Sequence, residues 1–192
     1  MSQKRVPAIF MRGGSSKGVF FHSSDLPEDK NSWDELFLSV LGSPDPYGRQ
    51  LNGMGGGISS LSKAVVISPP TRLDADVDYT LAQISVKDSV VDYSSNCGNL
   101  SSAVGPFAID TGLVDASGSK KEVRIHNTNS GKLIVSKVPL RDGLSEVVGD
   151  FSIPGVSGTG AKVQLDFLDP GGTRTGSLLP TGNTVDIITL PN

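Results

Sequence analysis

Three short segments hold residue types that could do chemistry. The first is Ser95-Asn96-Cys97-Gly98-Asn99, directly before a stretch with helical periodicity. Amides at a helix start favour a thiolate and can equally hold a carboxylate. Gly98 permits close backbone approach. A lone cysteine is usually a small buried apolar residue. Asn and Gly on both sides of Cys97 argue against an apolar pocket, so the reactive reading is preferred. The second segment runs from Asn52 through Gly53-Met54-Gly55-Gly56-Gly57 to Lys63. It reads as a backbone-donor loop ending on a lysine at the head of the apolar run Ala64–Ile67. If the loop folds over Lys63, desolvation lowers the ammonium pKa and makes a usable base. A solvated strand-end lysine is the commoner meaning of such a position. The third segment, Arg12-Gly13-Gly14-Ser15-Ser16-Lys17-Gly18, sets glycines beside two hydroxyls and an ammonium. That composition suits a carboxylate cradle, although most such strings are plain hairpin turns.

Sharper motif readings of these loops fail. Gly14-x-Ser16-x-Gly18 has the letters of a hydrolase elbow, but that elbow needs a helix after it and Val19-Phe20-Phe21 continues as strand. A P-loop would need Ser or Thr after Lys17. Gly53-x-Gly55 begins like a dinucleotide fingerprint, yet Ile58 occupies the third glycine position and a strand follows. His22 and His126 lie in no ligand-spaced cluster, so no metal site is expected. A Cys–His hydrolase would have only His126 to bring to Cys97, and His126 alternates with apolar residues on the polar face of a strand.

The elements that must carry these loops can be read from periodicity. Val6–Phe10 and Gly18–Phe21 read as strands around a turn. Trp33–Leu41 has helical spacing, with Ser32 at its start and Gly42 at its end. Lys63–Ile67, Val77–Val86 and Val90–Tyr93 read as strands. Asn99–Ile109 reads as a helix, capped by Gly112 and disturbed by Pro106. Val123–Asn127, Lys132–Val138, Val147–Phe151, Lys162–Leu168 and Thr184–Leu190 complete a β-rich set. The expected fold is α+β: a curved, mostly antiparallel sheet wrapped around one central helix.

Bulk properties narrow the function. The 192 residues suit one large domain or two small ones. The 23 glycines and 12 prolines fit a β-rich, turn-rich chain. A net charge of -3 gives no basic field for nucleic acid or an anionic membrane. No apolar run is long enough to predict a membrane span. Met1–Pro7 lacks the apolar core of a signal peptide, and one cysteine allows no internal disulfide. Together these predict a cytoplasmic protein.

Taken in order, the segments resemble the PrpF family, whose best-known members are 2-methylaconitate cis-trans isomerases and 4-oxalomesaconate tautomerases. The matching strings are Arg12–Phe21, Gly42-Ser-Pro-Asp-Pro-Tyr47, Gly53-Met-Gly-Gly56, Ser59-Ser60-x-Ser62-Lys63, Asp76-Val-Asp-Tyr79, Asn96-Cys-Gly-Asn-Leu100, and Pro180-Thr-Gly-Asn183 with Val185-Asp186. The chain departs from the family at Ser15, where Thr is usual, and at Gly57-Ile58, where Ala-Thr is common.

The resemblance implies a diaminopimelate epimerase-like fold of two similar halves with the active site between them. Family members are about twice as long, so residues 1–192 are expected to be the N-terminal half, with the C-terminal half as its missing partner. Cys97 and Lys63 match the family's essential cysteine and lysine. Ser16, Lys17, Ser60, Gly98 and Asn99 are implied to face the ligand. The implied reaction moves a proton across the allylic system of a small unsaturated di- or tricarboxylic acid. No cofactor is implied, because the substrate's carboxylates acidify the proton. Either Cys97 or Lys63 could act first, with Lys17 and amides near Gly98 stabilising the dienolate. The alternatives are a non-catalytic carboxylate-binding domain and an amino-acid racemase or epimerase of the same fold. A single cysteine disfavours the two-thiol chemistry of the latter. A homo-oligomer is possible.

Overall fold

The structure is a computed structural model and describes residues 3–189. Ile9–Gly13 (β1) and Ser16–His22 (β2) form the hairpin expected from the glycine–serine turn, with Gly13 opposite Ser16. Lys63–Ser68 (β3) runs parallel to β2, and Val77–Ile84 (β4) runs antiparallel to β3. Val91–Asp92 (β5) pairs antiparallel with β4, and Lys120–Asn127 (β6) lies parallel to it. Lys132–Arg141 (β7) is antiparallel to β6 and also carries two short strands, Leu144–Ser145 (β8) and Gln164–Phe167 (β9). The result is one mixed sheet, mostly antiparallel as expected, in an α+β fold.

Strand alternation explains how both faces are filled, since successive side chains point to opposite sides. Phe20 of β2, Val65 and Ile67 of β3, and Tyr79 and Leu81 of β4 belong to one core cluster. Val19, Phe21, Ala64, Val66, Ala82 and Ile84 belong to another. The helix Trp33–Leu41 (α1) covers the second face with Trp33, Phe37 and Leu41, spaced four residues apart. Full burial of each such side chain contributes roughly 1.5–3 kcal/mol. Gly42 ends α1 at φ 75°, and a Cβ there would lie 2.7 Å from Gly53 N. Ser32 makes no side-chain cap; its hydroxyl instead donates to Asp29, which also accepts from the Asn31 amide.

The first core face is covered by two short helices rather than the single helix expected over Asn99–Ile109. They are Gly98–Ser101 (α2) and Val104–Asp110 (α3). The break falls at Ser102-Ala103, and Pro106 accounts for it. Pro106 has no N–H for the Ser102 carbonyl four residues back, and its ring crowds that carbonyl. Gly112 follows α3 in the left-handed conformation, φ 75°. The sheet therefore lies between α2–α3 on one side and α1 on the other.

Two expected strands are absent. Residues 147–151 form no strand and make only an isolated bridge from Phe151 to Gly160. Residues 184–189 of the expected strand Thr184–Leu190 are exposed and irregular, and Leu190 lies outside the described residues. The alternation Val185, Ile187 suits a pleat, but no described strand pairs with it, and β-propensity needs a neighbour to pack against. No described helix is long and apolar enough to cross a membrane.

Candidate active site

The site begins where the β1–β2 hairpin meets α2. A Cβ on Gly13 would lie 2.7 Å from Asn99 O and 2.8 Å from Leu100 Cα. Gly14 has φ +53°, and its Cβ would lie 2.7 Å from Asn99 Oδ1. Side chains at either position would push the helix off the hairpin, so this glycine pair is what allows the contact. With the two backbones touching, Cys97 Sγ–H donates to Ser16 Oγ at 3.5 Å. Asn99 Nδ2 donates to Ser15 Oγ at 3.0 Å.

Cys97 is half-buried and is itself the N-cap of α2. Its sulfur accepts from the Leu100 amide at 3.4 Å. Because α2 has only 4 residues, this direct N–H, and not a long helix dipole, is what the helix start offers the sulfur. Gly98 and Asn99 open the helix, so their amides have no intrahelical acceptor. Gly98 is exposed, and a Cβ there would meet only Phe167 Cζ at 3.8 Å. The approach to the amides beside Cys97 is thus open.

The loop before Cys97 is pinned from β6 and the turn after it. Buried Asn127 donates to Asn96 Oδ1 at 3.0 Å and accepts from the Ser130 amide and hydroxyl. Asn129 Nδ2 donates to Tyr93 O at 2.7 Å. Tyr79 lies in the same core cluster that Cys97 packs against, fully buried, and its hydroxyl has no hydrogen-bond partner. Burial, and then the nearby Cys97, push its phenol well above the usual range, so it stays protonated.

Lys63 occupies the head of β3 and is only 6% exposed. Burial pulls its pKa down, and Cys97, close enough to matter when ionised, pushes it back up. The lysine is therefore desolvated, against the commoner meaning of such a position, a solvated strand end. The means differs from the one expected. The amides of Gly53, Met54, Gly55 and Gly56 donate to the carbonyls of Gln50, Val40, Leu41 and Leu61, and the Gly57 amide donates to Gln50 Oε1. These donors are spent within the protein and form no ligand cradle. The glycines make room instead: a Cβ on Gly55 would lie 2.2 Å from Gln50 Oε1. Gln50, fully buried, donates to Ser43 Oγ and Ser62 Oγ, both at 2.8 Å, and so ties the loop to the residue before Lys63.

Of the residues expected to face a ligand, Ser16, Gly98 and Asn99 gather around Cys97. Ser60 lies half-buried in the single turn Ser59–Leu61 that precedes Lys63. Lys17 does not join them. It is exposed, and strand alternation places it on the opposite side of β2 from Ser16 and Gly18. Sequence reasoning missed Gln50, Tyr79 and Gln83, all of which sit in ordinary loop or strand patterns. It also missed Lys132 and Arg174. These two line a cavity of about 460 Å³ beside Asn96, together with Ser95, Asn129 and Phe167. Arg174 donates to Ser94 O at 2.9 Å across its rim. Among the described residues, no group of three His, Cys, Asp or Glu side chains could hold a metal ion.

A free thiol beside a hydroxyl, a buried amine and open backbone amides are groups that can exchange protons and hold an anion. The family described as PrpF protein matches residues 3–192, and the chain belongs to it. Over 186 residues it is 50% identical to the 3-methylitaconate isomerase of Eubacterium barkeri, covering 97% of this chain and 48% of the relative. It is 47% identical over 188 residues to the 4-oxalomesaconate tautomerase of Pseudomonas putida, covering 98% and 52%. The chain thus spans about half the length of the curated relatives it matches. A crystal structure of a methylitaconate-delta-isomerase superposes with a TM-score of 0.89 at 49% identity, over 97% of this chain and 48% of that one. A hydroxyproline epimerase from Agrobacterium vitis superposes with a TM-score of 0.50 at 13% identity, over 72% of this chain and 39% of that one, a likeness of fold alone.

Proposed function

We propose that this chain supplies the acid/base half of an isomerase that shifts a proton along the allylic system of a small unsaturated di- or tricarboxylic acid, of the methylitaconate, methylaconitate or oxalomesaconate type. The observation that carries the reading is the buried Lys63 amine, held below its ordinary pKa, within electrostatic reach of the Cys97 sulfur.

In this mechanism one of the pair removes a proton from a carbon beside both a carboxylate and a C=C bond. The electron pair spreads into a dienolate. The other member returns a proton at the far end of the allyl system, so the double bond moves and no atom is gained or lost. The Gly98 and Asn99 amides are placed to stabilise the developing oxyanion. Lys132 and Arg174, in the adjoining cavity, offer charge for a remote carboxylate. Lys17 is given no role. No cofactor is required, because the conjugated carboxylates acidify the transferred proton.

The coverage of its relatives supports residues 1–192 as one half of a two-halved enzyme, with a second half closing the open side of Cys97. Closure would exclude water and strengthen each charge interaction. The test is to assay Cys97→Ser and Lys63→Ala in the full-length protein on these acids. Each acid/base group contributes roughly 100- to 10,000-fold. Losses of that size with unchanged thermal unfolding support the assignment; near-normal turnover in either variant removes that residue from the pair.

A further inference from the structure

Lys63 and Gln83 face each other directly across β3 and β4. Lys63 shares its side of β3 with Val65, and Gln83 shares its side of β4 with Leu81; both lie on the face that α2 covers. The orientation of the Gln83 amide is settled by chemistry. Its Nε2 donates to Ser62 O at 2.9 Å and to Ser59 O at 3.1 Å. Carbonyl oxygens only accept, so the nitrogen must face them and Oε1 must face away. Oε1 accepts a hydrogen bond from Lys63 Nζ. Among the described residues, no carboxylate forms an ion pair with Lys63.

We propose that Gln83 is a positioning residue for Lys63: its locked amide oxygen holds the amine in one orientation on the α2 face while supplying no countercharge. The role rests on the reading of Lys63 as an acid/base group. A flexible four-carbon side chain needs such an anchor to present its nitrogen reproducibly. A carboxylate in the same place would anchor it too, but would stabilise the ammonium and cancel the effect of burial. A neutral acceptor separates these two effects. The turn Ser59–Leu61 takes part, because its carbonyls fix the amide that fixes the lysine.

The test compares Gln83→Glu and Gln83→Met in the full-length protein. The Lys63 titration is followed by NMR of ¹³Cε-labelled lysine, assigned by the signal lost in Lys63→Arg. The pH profile of kcat/KM is measured alongside. Glu should raise the Lys63 midpoint by about 1–3 pH units. Met, which removes the acceptor, should lower it and reduce kcat about 100-fold through misplacement, with KM little changed. Midpoints that move in opposite directions are a signature that general destabilisation does not produce. If Gln83→Glu fails to fold, the Met variant carries the test alone. An unchanged midpoint with full kcat in Gln83→Met overturns the proposal. If the NMR midpoints move and the kcat/KM profile does not follow, the acid/base reading of Lys63 falls, and with it the catalytic role of Gln83, although the Gln83–Lys63 contact stands.

Discussion

Cys97 Sγ lies 3.5 Å from Ser16 Oγ across 81 residues of sequence. The contact exists because Gly13 and Gly14 let the hairpin backbone rest on Asn99 and Leu100. The sulfur is thereby held beside β2, with the buried Lys63 on the neighbouring strand β3.

Gly13→Ala should therefore disturb both stability and the site. The new methyl would sit 2.7 Å from Asn99 O and 2.8 Å from Leu100 Cα, both backbone atoms. Overpacking of this kind costs about 1–3 kcal/mol. Urea unfolding should show a lower midpoint with an unchanged slope. An unchanged midpoint would mean that α2 can lift from the hairpin at no cost.

Burial of Lys63 also predicts a pH dependence of stability. Its folded pKa lies below the ordinary lysine value of 10.5, with burial the first cause. Between the folded value and 10.5 the unfolded chain binds more protons than the folded one, so stability rises with pH through that window. Below the folded value the burial cost is fully present, and above 10.5 it is gone. Relative to Lys63→Met, the wild-type protein should gain stability as the pH climbs toward 10.5 in chemical unfolding series. A constant difference between the two would show that Lys63 titrates in the folded state as it does in water.

Local rules made some of this legible and long-range pairing hid the rest. The hairpin, α1 and its Gly42 stop follow from turn glycines and apolar residues four apart. Cys97 and Lys63 stood out because each sits where a loop enters a regular element. Gln83 did not, since only the β3–β4 register brings it to Lys63. The glycine run 53–57 reads as a donor loop in the sequence, but its amides are taken up by the protein and its neighbour Gln50 is buried by tertiary packing. The resemblance puts Lys17 with Ser16 toward the ligand, while the pleat of β2 turns the two to opposite sides. Pro106 marks a disturbance in the sequence, but where the helix breaks depends on the Ser102 carbonyl four residues before it.

The proposed isomerisation requires a proton to pass through Cys97 and Lys63. Deuterium exchange at the allylic carbons tests this most directly, because it reports proton abstraction even when turnover is slow. The full-length protein, incubated in D₂O with the unsaturated acids proposed above, should wash deuterium into substrate and product. Cys97→Ser and Lys63→Gln should each lose exchange at one end of the allyl system by about 100-fold or more, and the end that is lost should identify which residue serves it. Exchange at wild-type rates at both carbons in either variant would contradict the account.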